Sequence, residues 1–105
     1  MANEQRQTNR DALTDAIIEE TAPEKTGTFC FDGFMWDKSK PVLRLMGDHG
    51  TPDFTLTFFE GGKVLVTPDS NPSWQRMLNG DFGDVRKLAK DILATMLVVN
   101  LVGVV

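Results

Sequence analysis

Asp48-His49 is the natural first place to look for catalysis in this chain. His49 is the sole histidine, and acid–base chemistry near neutral pH wants a group that titrates there. Asp53 follows four residues later, so the loop 47–53 holds a small titratable cluster. Yet Gly47-Asp48-His49-Gly50-Thr51-Pro52 consists of residue types that turns select for their own reasons. The turn reading is preferred. Asp48, His49 and Asp53 stay as candidates for a ligand site, and no residue is assigned as catalytic.

Other constellations carry less. Ser39, Ser70 and Ser73 lie outside any G-x-S-x-G elbow. Ser70 and Ser73 flank an expected helix start, where serine serves as a cap. Asp32, Asp37, Asp48, Asp53 and Asp69 fall at expected strand ends, where several could converge on a hard cation. They lack EF-hand spacing, and no metal or cofactor is expected. Asp81-Phe82-Gly83 spells the kinase metal-binding triplet without the glycine-rich and catalytic loops that give it meaning. Gly61-Gly62-Lys63 lacks the spacing of a phosphate loop. The single cysteine, Cys30, reads as structural and suits a reducing compartment.

Charge and hydropathy narrow the classes further. Fifteen acidic residues against 11 basic ones leave a net charge of −4. The tightest basic cluster, Arg86, Lys87 and Lys90, reads as the wet side of a helix, so no nucleic-acid partner is expected. The polar beginning of the chain has no secretory pattern. The apolar run 94–105 is shorter than the roughly 20 residues that span a bilayer. No membrane partner is expected, and the expected location is cytoplasmic.

The elements that must position these residues follow from turn and cap signals. Residues 1–7 read as a flexible tail. Thr8 and Asp11 open a short helix over about 9–21, with Leu13, Ala16 and Ile17 at helical spacing and Pro23 ending it. Asp32-Gly33 between Phe29–Phe31 and Phe34–Trp36 reads as a two-residue hairpin turn. That register places Phe29, Phe31, Phe34 and Trp36 on one face. Core packing is preferred there over a base-stacking platform. A strand is expected over 42–46.

Gly61-Gly62 marks a second hairpin, with Glu60 opposite Lys63. One face then carries Phe54, Leu56, Phe58 and Leu65. The other carries Thr55, Thr57, Phe59, Val64 and Val66. Asn71-Pro72 predicts a short helix closed by Gly80, with Trp74, Met77 and Leu78 inward. Asp81 or Asp84 caps a longer helix with the stripe Val85, Leu88, Ile92, Leu93 and Met96. From Val98 on, helix and strand both remain open.

Together these signals predict one α+β domain spanning 1–105. An antiparallel sheet of four to six strands, arranged as hairpins or a meander, would carry a short N-terminal helix and a C-terminal helix packed on one face. Three segments carry apolar surface that one small fold would leave uncovered: the first helix, the Phe59/Val64/Val66 face and the end of the chain. Contiguous apolar surface of this kind marks interfaces. The expected function is a non-enzymatic protein-interaction module. It would be a self-associating accessory or inhibitor protein, with Phe59, Val64, Val66 and Thr57 as partner-binding residues and a protein or a second copy as partner. The alternative is a small-molecule-binding domain, or a minor enzyme, built on the 47–53 loop.

Overall fold

The computed structural model describes residues 2–22, 27 and 29–104. Helix α1 (Ala2–Glu20) precedes strands β1 (Phe31–Trp36), β2 (Val42–Gly47), β3 (Phe54–Phe59), β4 (Lys63–Pro68) and β5 (Arg76–Asn79). Helix α2 (Val85–Val104) follows. The five strands form one antiparallel meander in the order β1-β2-β3-β4-β5. Both helices contribute to a single core with one face of this sheet, which is the expected α+β architecture.

The helices show why they lie there. Leu13, Ala16 and Ile17 of α1 are buried, and so are Leu88, Ala89, Ile92, Met96 and Val99 of α2. Each set recurs at three- and four-residue steps, which makes one apolar stripe per helix. Asp84 caps α2 by accepting the Lys87 N–H at 3.2 Å. At the end of α1 the buried Thr21 hydroxyl donates back to the Ile17 carbonyl at 2.7 Å. Helix α1 begins at Ala2, well before the expected start, so residues 2–7 are helical where a tail was expected. The open choice after Val98 resolves as helix, and α2 runs on to Val104.

Three local expectations give way to tertiary packing. Asp32-Gly33 is not a turn but an irregularity inside β1, where the register shifts between Phe31 and Gly33. The chain reverses later, at Asp37. There Asp37 Oδ1 accepts the Ser39 N–H at 2.8 Å, the Ser39 hydroxyl at 3.0 Å and the Lys40 N–H at 3.0 Å. That side-chain-closed turn frees Phe34, Met35 and Trp36 to pair with Leu45, Arg44 and Leu43. The bulge absorbs one residue, so Phe31 and Phe34 still turn to the core side with Trp36. Phe29 is buried, with ring centroids 5.4 Å from Phe31 and 5.8 Å from Phe54. The aromatic cluster is core.

The second hairpin forms between β3 and β4, but with a three-residue loop, Glu60–Gly62. Phe59 rather than Glu60 opposes Lys63, Phe58 opposes Val64 and Leu56 opposes Val66. A slip of one residue exchanges the two faces of β4. Val64 and Val66 join Phe54, Leu56 and Phe58 with 0% exposure, while Leu65 goes to the other side. The gain is two buried β-branched side chains instead of one leucine, each Val worth about 1.5–3 kcal/mol when fully buried. Val64 and Val66 are therefore corrected from partner-binding candidates to core residues.

Residues 71–80 do not form the expected helix. A single tight turn, Pro72–Trp74, leads into β5, which pairs Met77 with Leu65 and Leu78 with Val64. The ladder occupies a β4 edge that would otherwise carry bare backbone groups. Leu78 packs against the core, whereas Trp74 and Met77 are exposed.

Candidate functional site

Three regions compete for function: the 47–53 loop at one end of the sheet, a cleft at the opposite end, and the sheet face away from the helices.

In the loop, the titratable groups are occupied with holding the chain. Asp53 Oδ1 accepts the Gly47 N–H at 2.7 Å, and Asp48 Oδ1 accepts the His49 N–H at 2.8 Å. The Asp48 N–H donates to the Cys30 carbonyl at 2.8 Å, while the Cys30 N–H donates to Thr51 Oγ1 at 2.8 Å. Such bonds are what aspartate and threonine contribute to turns. His49 has a left-handed backbone (φ 50°), and its side chain is 80% exposed. Its Nε2 lies 3.5 Å from Asp48 Oδ2, a contact between chain neighbours out in solvent. A general base works best on a sheltered reactant, whereas His49 and the Asp48 carboxylate beside it both face solvent. Asp48 and Asp53 thus hydrogen-bond within the loop, and His49 stands in solvent outside the cleft described below. No group of three or more His, Cys, Asp or Glu among the described residues could hold a metal ion.

The cleft opens between the helical layer and the sheet. Its volume is about 510 Å³, within the roughly 300–1,000 Å³ range of small-molecule pockets. Helix α1 contributes Arg10 and Leu13, and the sheet contributes Trp36 and Phe58. Phe82, Val85 and Leu88 close the side nearest α2. Ser39, Pro41 and the turn Phe59-Glu60-Gly61 complete the rim.

Its aromatic wall is held from behind. The Trp36 indole N–H donates to Thr14 Oγ1 at 2.6 Å, and that hydroxyl donates to the Arg10 carbonyl at 2.7 Å. The Arg10 guanidinium carbon sits 4.8 Å from the centroid of the Trp36 ring, a cation–π distance. Phe58 packs beside Trp36 at 5.3 Å and 33°, and Phe82 meets Phe58 edge-on at 6.0 Å. No residue of the 47–53 loop lines this cleft.

Among the described residues, neither helix packs on the other face of the sheet. One row crosses four strands as Val42, Thr57, Leu65 and Met77. The next row runs Met35, Arg44, Thr55 and Thr67. Met35 is 59% and Met77 51% exposed. Asp69 ties the polar part together, accepting the Thr55 hydroxyl at 2.6 Å and standing 3.4 Å from Arg44 Nη2. Of the expected partner-binding residues, Thr57 lies in the middle of this face. Phe59 has outer-face register at the end of β3, is exposed, and also lines the cleft rim.

The expectations missed both stronger features. Arg10, Leu13 and Thr14 stand at i, i+3 and i+4 on α1, a spacing that shares one helix side. That signal was present without any hint that Trp36 would lie against it. Met35, Val42, Leu65 and Met77 fall in strands whose register local residue types did not determine.

The architecture defines a two-layer α+β domain, with two helices on one side of a five-stranded meander. In comparisons with known proteins, no family model, no curated protein and no solved structure matches this chain. Among the described residues no helix is long and apolar enough to cross a membrane.

Proposed function

We propose that this chain is a non-enzymatic protein-interaction module that self-associates through the uncovered face of its sheet. The observation behind this reading is the apolar row Val42, Leu65 and Met77, flanked by Met35 and interleaved with threonines, opposite a face that two helices already fill. Sheets pack face to face about 10 Å apart through alternating side chains of this kind.

Three features favour a second copy as the occupant. Both edges of the sheet are poor templates for strand addition, since β5 has four residues and β1 is interrupted at Asp32-Gly33. Arg44 and Asp69 sit side by side on the face, so a two-fold axis can set each against its opposite charge on the other copy. Four strands of six residues and one of four, spaced about 4.8 Å apart and rising about 3.3 Å per residue, offer roughly 440 Å² of plan area per copy. That is the size of a weak, transient interface rather than of a permanent dimer.

Light scattering over a concentration series tests the reading. The unaltered chain should pass from monomer to dimer mass in the micromolar range, and Leu65→Glu should remain monomeric with an unchanged circular dichroism spectrum. A monomeric mass for the unaltered chain at hundreds of micromolar would remove the proposal.

A further inference from the structure

The aromatic cleft lies away from the middle of the proposed dimer face and shares only Phe59 with its register. We propose that it is a binding site for a small carboxylate with a flat apolar body of one or two rings.

The shape of the ligand follows from the walls. Trp36 and Phe58 lie at 33° to one another, and Phe82 presents its edge to Phe58. Leu13 and Leu88, both buried, contribute aliphatic lining. Rings prefer offset-stacked or edge-to-face neighbours, so a planar guest gains from each of the three aromatic groups. A polar guest without such a body would lose its own hydration against this lining without replacement hydrogen bonds.

The head group follows from charge. Arg10 is the cation on the lining, and among the described residues no carboxylate pairs with it. Its guanidinium carbon stands 4.8 Å from the Trp36 centroid, and a guanidinium offers two parallel N–H donors to the two oxygens of a carboxylate. Glu60 is the other charged residue on the rim. It repels an anion, so the head group settles on the α1 side and a dianion is disfavoured. The Thr14 hydroxyl ties the Trp36 indole to the Arg10 carbonyl, so the ring facing the guanidinium is fixed against α1. The aromatic wall therefore needs little ordering on binding.

The ligand class is tested in the unaltered chain with two probes of one shape, 1-naphthylacetate and neutral 1-naphthylacetamide, titrated by two-dimensional NMR. The acid should bind with a micromolar-to-millimolar Kd and shift the Trp36 indole N–H together with the amides of Phe82 and Val85. The amide should bind at least about fivefold more weakly, the scale of one charge-assisted hydrogen bond at a half-open site. Arg10→Gln should erase that difference while leaving residual binding of both probes, and Arg10→Lys should restore part of it. Equal or tighter binding of the amide overturns the proposal. So do shifts confined to residues outside the cleft, or no shift with millimolar acid. Because light scattering on the same samples reports self-association separately, loss of one reading leaves the other standing or falling on its own data.

Discussion

Leu65 and Val66 are chain neighbours of nearly equal hydrophobicity, and they have opposite fates. Val66 has 0% exposure beneath the helices, while Leu65 lies on the uncovered face between Thr57 and Met77. The two faces of the sheet differ in what covers them because they differ in how apolar they are. The helix-covered face contains Leu43, Leu45, Phe54, Leu56, Phe58, Val64 and Val66, all buried. The other mixes Val42, Leu65, Met35 and Met77 with threonines and an Arg44–Asp69 pair. A face that stays half apolar and half hydrogen-bonding is tolerable in water and ready for a partner. A wholly apolar one must be covered inside the fold.

The sharpest way to break this comparison is to place the same charge on each side of it. Val66→Glu puts a carboxylate where it has no partner and should cost at least about 4 kcal/mol, much of the stability of a domain this size. Leu65→Glu, one residue away, should cost about 1 kcal/mol, mainly through lost strand preference. Urea unfolding at one dilute protein concentration measures both. Similar losses at the two positions would mean that the faces are not distinguished as described.

A second pair of variants addresses the loop that sets the β4 register. Gly61 and Gly62 both have left-handed backbones, φ 79° and 81°. A Cβ on Gly61 meets nothing within 4 Å, whereas one on Gly62 would lie 2.1 Å from the Gly80 carbonyl oxygen. The Gly80 N–H donates to the Gly62 carbonyl at 2.7 Å, so that backbone cannot simply retreat. Gly61→Ala should cost about 1 kcal/mol for its backbone conformation alone. Gly62→Ala should cost at least about 2 kcal/mol. Thermal unfolding ranks the two, and the reverse order would argue against the clamp between the loop and the end of β5.

The smallest expected effect concerns the turn that sets β1. The Ser39 N–H, then the Ser39 hydroxyl and the Lys40 N–H, hold the Asp37 carboxyl below its ordinary pKa. A depressed carboxyl pKa stabilises the fold above the unfolded-state value, and that contribution disappears as pH falls through the folded-state value. Asp37→Asn keeps the turn geometry and removes the titration. Its melting temperature should fall below that of the unaltered chain at neutral pH and converge with it in strong acid. Parallel acid limbs for the two proteins would show that the charge contributes nothing.

The sequence by itself determined what depends on near neighbours. Helical spacing marked Leu13, Ala16 and Ile17, and also Leu88, Ile92 and Met96, as buried stripes. Asp81 or Asp84 was legible as a cap and Gly61-Gly62 as a reversal, and the α+β class followed from these elements. The expected helix at 71–80, the turn at Asp32-Gly33 and the two-residue loop at Gly61-Gly62 misled for a common reason. Each local pattern was compatible with two pairings, and the choice fell to contacts made elsewhere. The Asx turn at Asp37 competed with Asp32-Gly33, and the bare edge of β4 recruited residues 76–79. Burial of Val64 and Val66 together decided a one-residue register shift that no local propensity could distinguish. The cleft is more tertiary still. Arg10, Trp36, Phe58 and Phe82 come from four separate parts of the chain, and their conjunction depends on how the helical layer closes over the sheet. Local preferences reach only a few residues along a backbone, whereas face, register and concavity are settled by the burial of side chains that are distant in sequence.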